Sequence, residues 1–373
     1  MKGIVKFQDG KDGWEIRDIP RKAPKEDEVE IEVKAAGICG SELHLYHDNH
    51  TYEPPVVVGH EFCGVISRVG SRVTKWKVGD RVVSENNKST CGACFFCRTG
   101  MPILCRQRRP VGYKVNGGWT EYFCTPARLL LKIPDHVTFE EAAMTEPVSI
   151  ATQSLIVRNT VKIGDTVLVQ GCGAVGMIHA MVARAIGAGQ VILTGTDADE
   201  ETRLPVARKL GIDRIVNVQR ENLARIIDDM TEGKGADVVV EASGADTAIY
   251  LATDYVKKTG MIVAIGETAR KEVPFRWTDA VFKSCSIVFS FGAGYEAWRH
   301  GLALMETKKI DLLPLITHKI GMEDFRKGFS MLESKEALKV IMYPFPHEQH
   351  SAAHDVTDGE EKKAKGIEDC ESA

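Results

Sequence analysis

The pattern of apolar and polar positions changes character once along the chain, near residue 148. Before that point, apolar residues come in short runs broken by glycine. Glu28-Val29-Glu30-Ile31-Glu32-Val33 alternates with a period of two, the mark of a strand with one face buried and the other solvated. Val-rich runs follow, punctuated by Gly64, Gly70 and a Gly79-Asp80 turn before Arg81-Val82-Val83, so this half predicts an all-β module. After residue 148, apolar strand candidates (166–170, 191–194, 238–240, 261–265 and 287–289) alternate with helical patterns over 202–210, 223–230 and 248–256. That alternation predicts an α/β unit whose parallel sheet carries helices on both faces. A last helical pattern covers 322–332, and the segment around it is too short for its own core, so it is expected to pack back on the first lobe. From His347 the chain turns polar and charged, which predicts a disordered tail over 346–373.

Length and composition narrow the function. At 373 residues the chain is long enough for two domains with proper cores. A formal charge of -4 and a pI near 6.3 give no electrostatic footprint for nucleic acid or anionic membrane. No apolar run approaches the roughly 20 residues that span a bilayer, and the start lacks the apolar core of a signal peptide, so a cytoplasmic protein is expected. In a reducing compartment, ten cysteines argue for metal ligation or catalysis rather than disulfides.

Spacing then assigns the chemistry. Cys91, Cys94, Cys97 and Cys105 are separated by two, two and seven residues, a local run that lets four thiolates converge on one structural zinc in a lobe of about residues 88–108. Such a run can also hold an iron–sulfur cluster, but nothing else in the chain resembles an electron carrier. Cys39 in Gly37-Ile38-Cys39-Gly40-Ser41-Glu42-Leu43-His44, with His60 and Glu61 in Gly59-His60-Glu61, offers a thiolate, an imidazole and a carboxylate. Together these hold a zinc ion with one position open, as a Lewis-acid catalyst needs. Thr166–Gln170 runs into Gly171-Cys172-Gly173-Ala174-Val175-Gly176 and then a helical stretch, the context in which a glycine turn cradles a dinucleotide pyrophosphate.

The next strand ends Leu193-Thr194-Gly195-Thr196-Asp197. Gly195 stands near the place of the usual ribose-binding carboxylate and would admit NADP, whereas Asp197 and Asp199 oppose an added phosphate, and the balance favours NAD. Cys63, Cys124, Cys172 and Cys285 have no partner spacing and are expected to be buried apolar groups, with Cys370 in the tail. His47 and His50 match no ligand pattern. Leu45, Tyr46, Trp119 and Phe291 are candidates for the substrate pocket wall, although an aromatic in such a sequence is more often part of the core.

These motifs, in this order, resemble the zinc-dependent medium-chain dehydrogenase/reductase superfamily, which includes the alcohol dehydrogenases. The likeness extends to about residue 345. It is nearest to the sorbitol, L-threonine and butanediol dehydrogenase branch, because Glu61 follows His60 and Thr145-Glu146-Pro147 replaces the cysteine segment of other alcohol dehydrogenases. The resemblance implies a GroES-like catalytic domain, residues 1–150 and 288–345, around a Rossmann domain, residues 151–287, assembled as a homo-oligomer, a tetramer or dimer. It implies two zinc ions and NAD or NADP. Cys39, His60 and Glu61 would hold the catalytic zinc, with Glu146 exchanging as a ligand or accepting from the bound water. Ser41 would take the substrate hydroxyl proton and pass it through the cofactor ribose to His44, three residues on and so on the same side of a helical turn. Dinucleotide contacts would come from Gly171, Gly173, Ala174, Val175, Gly176, Gly195, Thr196, Asp197, Arg203, Ile265, Gly266 and Phe289. The expected activity is oxidation of a secondary alcohol, in a polyol, diol or amino alcohol, to the ketone. The alternative is a non-catalytic nucleotide-binding relative whose zincs only hold the fold. The complete set Cys39, Ser41, His44, His60 and Glu61 opposes it.

Overall fold

The computed structural model describes residues 1–268 and 270–345. Its first half is organised on a seven-stranded sheet in the order Leu130–Lys132, Arg81–Ser84, Phe62–Val69, Glu28–Gly37, Lys339–Tyr343, Ile316–Gly321, with Tyr122–Pro126 also pairing Glu28–Gly37. The last two strands among the described residues therefore complete the first sheet, Ile341 lying opposite Gly37.

The central strand corrects one expectation. Glu28–Gly37 is covered on both faces, and Glu28 and Glu30 are only 6% and 0% exposed. The alternation is real, but the polar face is roofed by charge: Arg21, Arg68 and the Ser67 hydroxyl all donate to the Glu30 carboxylate. A buried carboxylate is tolerable when paired in this way. On the other face, Trp14 packs against Phe329, Tyr46, Phe325 and Trp119 at ring separations of 5.4, 5.7, 6.2 and 6.5 Å. Leu45, Tyr46 and Trp119 are thus part of this core and not walls of a substrate pocket, since their apolar surface is already taken up by the aromatic cluster.

The second half is a six-stranded, all-parallel sheet in the order Arg214–Asn217, Gln190–Gly195, Thr166–Gln170, Ala236–Glu241, Val256–Ala264, Ser286–Phe289. Alternate residues feed two cores. Val167, Val169, Leu193 and Val240 join one, while Leu168, Ile192 and Val239 join the other, so helices cover both faces. The strand order reverses between Thr166–Gln170 and Ala236–Glu241, which opens a crevice at their carboxyl ends. Gly176 is required there, because a Cβ would lie 2.0 Å from the Gly171 carbonyl oxygen.

Cys63 and Cys172 are buried, as expected, but Cys124 and Cys285 are half-buried. Both lie near sheet margins, where fewer neighbours cover them: the Cys124 Sγ faces the Lys22 carbonyl at 3.6 Å, and Cys285 precedes the edge strand Ser286–Phe289. Cys370 and the polar tail lie outside the described residues. No helix among the described residues is long and apolar enough to cross a membrane.

Candidate active site

Strand Glu28–Gly37 delivers the chain to Cys39, which caps the short helix Gly40–Tyr46. The Glu42 side chain reaches back to accept from the Cys39 N–H at 2.9 Å. Its other oxygen lies 2.5 Å from His60 Nδ1. A carboxylate on Nδ1 fixes the proton there and leaves Nε2 as the free donor atom. The predicted ligands lie near this histidine. His60 belongs to one cluster with Cys39 and Glu42 and to a second with Glu61 and Glu146, with the donor atoms of each cluster within 4.8 Å of one another.

Glu146 enters from the helix Thr145–Thr152, its Oε1 held by Asn86 Nδ2 at 3.0 Å and its Oε2 3.9 Å from His60 Nε2. Glu61 is buried with Oε2 paired to the Lys339 ammonium, while Oε1 has no hydrogen-bond partner. Gly37 makes this possible, because a Cβ there would lie 2.1 Å from Glu61 Oε2.

The electrostatics describe a site short of positive charge. Burial and the Glu61 carboxylate push the Cys39 thiol up. Burial also raises Glu146 to about 7, against the opposing pull of His60. For His60 and Lys339 burial works against the charged form, yet Glu42 in the first case and Glu61 in the second hold them above their ordinary values. An orphaned carboxylate oxygen, an imidazole, a thiol and a second carboxylate, in two clusters that share His60, fit a divalent zinc ion by donor type. The second metal prediction is equally compact: the sulfurs of Cys91, Cys94, Cys97 and Cys105 lie within 4.8 Å of one another with no disulfide among them.

A cleft of about 560 Å³ opens above these donors and is walled by both halves of the molecule, Ser41, His44 and Tyr113 on one side and Val175, Ile265 and Gly266 on the other. Ser41 and His44 share one helix and both face the cleft. The Tyr113 hydroxyl donates to Ser41 Oγ at 2.8 Å, and its ring lies 5.5 Å from that of His60 and 4.6 Å from that of His50. Gly171, Gly173, Ala174, Val175 and Gly176 form the strand-to-helix turn. Gly173 caps the helix Ala174–Ala185 with empty space where its Cβ would be, a cradle for a phosphate group. Gly195 ends its strand and Thr196 and Asp197 follow it, as the spacing requires.

Two expected dinucleotide contacts are placed elsewhere. Arg203 turns its guanidinium to Asp199 and to the carbonyls of Leu332 and Ala337, each at 3.4 Å, where it ties the C-terminal segment down. Phe289 is 76% exposed at the outer edge of the sheet, and the residues after it, Ser290 and Phe291, wall the cleft instead. Of the two unassigned histidines, His47 pairs with Glu333 and His50 lines the cleft.

The sequence reading missed Glu42, Asn86, Tyr113 and Lys339. Glu42 had a local signal, a carboxylate three residues after a helix cap. The others meet the site only through the fold.

Residues 25–135 match the alcohol dehydrogenase GroES-like domain and residues 174–307 match the zinc-binding dehydrogenase domain. The chain is 35% identical to a sorbitol dehydrogenase of Halalkalibacterium halodurans, over 92% of this chain and 99% of that one. It is 32% identical to a D-arabitol-phosphate dehydrogenase of Enterococcus avium, over 93% and 99%. A crystal structure of a zinc-binding dehydrogenase from Sinorhizobium meliloti bound to NADP superposes with a TM-score of 0.84 at 28% identity, covering 92% of this chain and 99% of that one.

Proposed function

Because the chain belongs to the zinc-dependent alcohol dehydrogenase family, we propose that its cleft oxidises a secondary alcohol of a polyol, diol or amino alcohol to the ketone, with a nicotinamide dinucleotide as hydride acceptor. One observation carries this reading: Cys39, Glu61 and Glu146 each share a donor cluster with His60, and this imidazole lines a cleft that also takes in Val175, Ile265 and Gly266 of the dinucleotide fold. Cys39, His60, Glu61 and Glu146 would hold the zinc, which as a Lewis acid makes the substrate hydroxyl acidic near neutral pH.

The chain's own residues do the rest. Glu42 keeps His60 in the tautomer that presents Nε2. Lys339 offsets part of the charge of the carboxylate cluster and fixes Glu61. Ser41 accepts the substrate proton, and because Tyr113 already donates to one of its lone pairs, the second lone pair is free for the alcohol and the serine hydrogen is free for the cofactor ribose. His44, one helical turn on, hands the proton to solvent. The four-cysteine lobe would take a second, structural zinc.

The dinucleotide is NAD or NADP. Asp197 is bound by Asn217 at 2.8 Å and Arg220 at 2.6 Å, and Asp199 by Lys335 at 3.2 Å, so the carboxylates expected to repel a 2′-phosphate are each offset by a cation. Both cofactors are therefore read as ligands. Thiolate ligation suits a reducing compartment, in line with a cytoplasmic enzyme. The unpaired side of the edge strand Ser286–Phe289, with exposed Phe282 and Trp277 beside it, suits a contact between two copies of this chain.

The test is a spectrophotometric panel of sugar alcohols, vicinal diols and β-hydroxy amino acids with each cofactor. Cys39→Ser is expected to abolish turnover while the fold and the four-cysteine zinc remain. Full activity in that variant would sink the mechanism.

A further inference from the structure

The cysteine lobe and the residues just after it line part of the cleft, and the cations there are not equally committed. Lys114 lines the cleft but lies 3.4 Å from Glu53, which also takes Arg109 at 2.7 Å. Arg108 lines the same wall, half-buried, and among the described residues it has no carboxylate in ion-pair contact. Its contacts are Asn87 Oδ1, at 3.2 Å from Nη1, and the face of Phe291, 4.6 Å from the guanidinium carbon. Burial pulls its pKa down, the sign of a cation without a compensating charge. Arg106 lines the cleft beside it, also without a carboxylate partner among the described residues.

Arg108 is held rigidly relative to the reacting centre. Asn87 Nδ2 donates to Asn86 Oδ1 at 3.3 Å, and Asn86 Nδ2 donates to Glu146 Oε1 at 3.0 Å, so a chain of three hydrogen bonds links the guanidinium to a proposed zinc ligand. Stacking on Phe291 leaves guanidinium edges free, the geometry in which arginine recognises planar or tetrahedral oxyanions. The dinucleotide phosphates have a cradle of their own at Gly173, which is not among the residues lining the cleft.

We infer that the alcohol substrate carries an oxyanion, phosphate or carboxylate, at the end remote from the carbon being oxidised, and that Arg108 binds it. The inference rests on the dehydrogenase reading above and narrows its substrate to phosphorylated polyols or hydroxy acids, amino acids included.

Matched pairs test it on the full-length, zinc-loaded protein: D-sorbitol against D-sorbitol 6-phosphate, and L-threonine against L-threonine amide. Each compound is followed by initial rates with both cofactors and by calorimetric titration into the complex with reduced cofactor. A charge-assisted hydrogen-bonded pair favours the charged member of at least one pair by about 10- to 100-fold in kcat/KM, mainly through KM, and in binding. The pair that responds tells phosphate from carboxylate. Arg108→Gln should bring that ratio close to one, Arg108→Lys should keep part of it, and Arg109→Gln should leave it unmoved. Turnover without a charge preference, or a preference that survives Arg108→Gln, overturns the inference and leaves the dehydrogenase reading standing. Weaker cofactor binding in Arg108→Gln with an unchanged substrate ratio overturns it too. A binding preference dependent on Arg108 without turnover of any compound supports the anion site and overturns the dehydrogenase reading. Absence of any Arg108-dependent binding preference overturns the inference whether or not turnover is seen.

Discussion

Glu42→Gln separates two jobs that one carboxylate performs. Glu42 is 1% exposed, with one oxygen on the Cys39 N–H at 2.9 Å and the other on His60 Nδ1 at 2.5 Å. Glutamine matches its shape but offers one acceptor and one NH₂ group. If the amide oxygen stays on Cys39, the NH₂ faces His60, and the ring can answer only by losing the Nδ1 proton and carrying it on Nε2. That nitrogen lies 3.9 Å from Glu146 and is the atom needed for the metal. If the amide flips, the NH₂ meets the Cys39 N–H and the helix loses its cap. Keeping the metal-binding tautomer leaves the Nδ1–H, or with a flipped amide the Cys39 N–H, without its acceptor, which costs about 1–3 kcal/mol. Losing the outer partner of a metal-binding histidine typically lowers affinity about 10- to 100-fold, or roughly 1.4–2.8 kcal/mol, so the two routes agree. Zinc affinities measured by competition with a graded series of chelators should show the His60 site weakened by that factor and the four-cysteine site unmoved. Affinities at both sites within a factor of two of the parent would refute the assignment of Nε2 as the ligand atom.

Three further outcomes are expected. Cys97→Ser removes one of four converging sulfurs, and since structural zinc contributes on the order of 10 kcal/mol to the domains it organises, the melting temperature should fall with loss of one zinc; an unchanged melting curve counts against a structural metal. Tyr113→Phe takes the donor from Ser41 while keeping the ring, so kcat should drop about 2- to 10-fold, the worth of a neutral hydrogen bond, and the pH–rate profile should shift; kcat and profile equal to the parent's would remove Tyr113 from the relay. Burial alone would raise the Glu30 carboxyl, but hydrogen bonds from Arg68, Arg21 and Ser67 bring it to about 2, against an ordinary 4.5. Because the folded value is depressed, its stabilisation is present above pH 4.5 and is lost as pH falls toward 2. That amounts to about 3 kcal/mol, so the gap in unfolding free energy between the parent and Glu30→Gln should narrow between pH 5 and pH 3 in urea titrations, and a constant gap would contradict the pairing.

The parts of the site legible in the sequence are those whose chemistry is local. Four sulfurs within fifteen residues, a glycine turn between a strand and a helix, and the pair Ser41 and His44 on one helical turn need no knowledge of the fold. Burial that comes from elsewhere in the chain left no such trace. Glu30 sits on the polar phase of an alternating strand and reads as solvated, yet Arg21 and Arg68 arrive from positions 9 residues before and 38 residues after it to cover that face. Leu45 and Tyr46 flank the motif residues in sequence, but helix geometry turns their side chains into the aromatic core around Trp14. Proximity along the chain did not distinguish a wall of the site from its support.

Lys339 shows what the first sheet contributes to the chemistry. It lies 278 residues from Glu61, on a strand that adds to Glu28–Gly37 only after the whole parallel-sheet unit has been made. With Lys339 2% exposed, its ammonium also donates to the Ile38 carbonyl at 3.0 Å, one residue before the proposed thiolate ligand. Removing it would leave the Glu61 carboxylate buried without a counter-charge, a change that in proteins generally costs about 3–5 kcal/mol. Breaking this pair should therefore loosen the strand Lys339–Tyr343 and the proposed zinc site together. The strand Lys339–Tyr343 thus supplies both a pairing partner of Glu28–Gly37 in the first sheet and the counter-charge of Glu61.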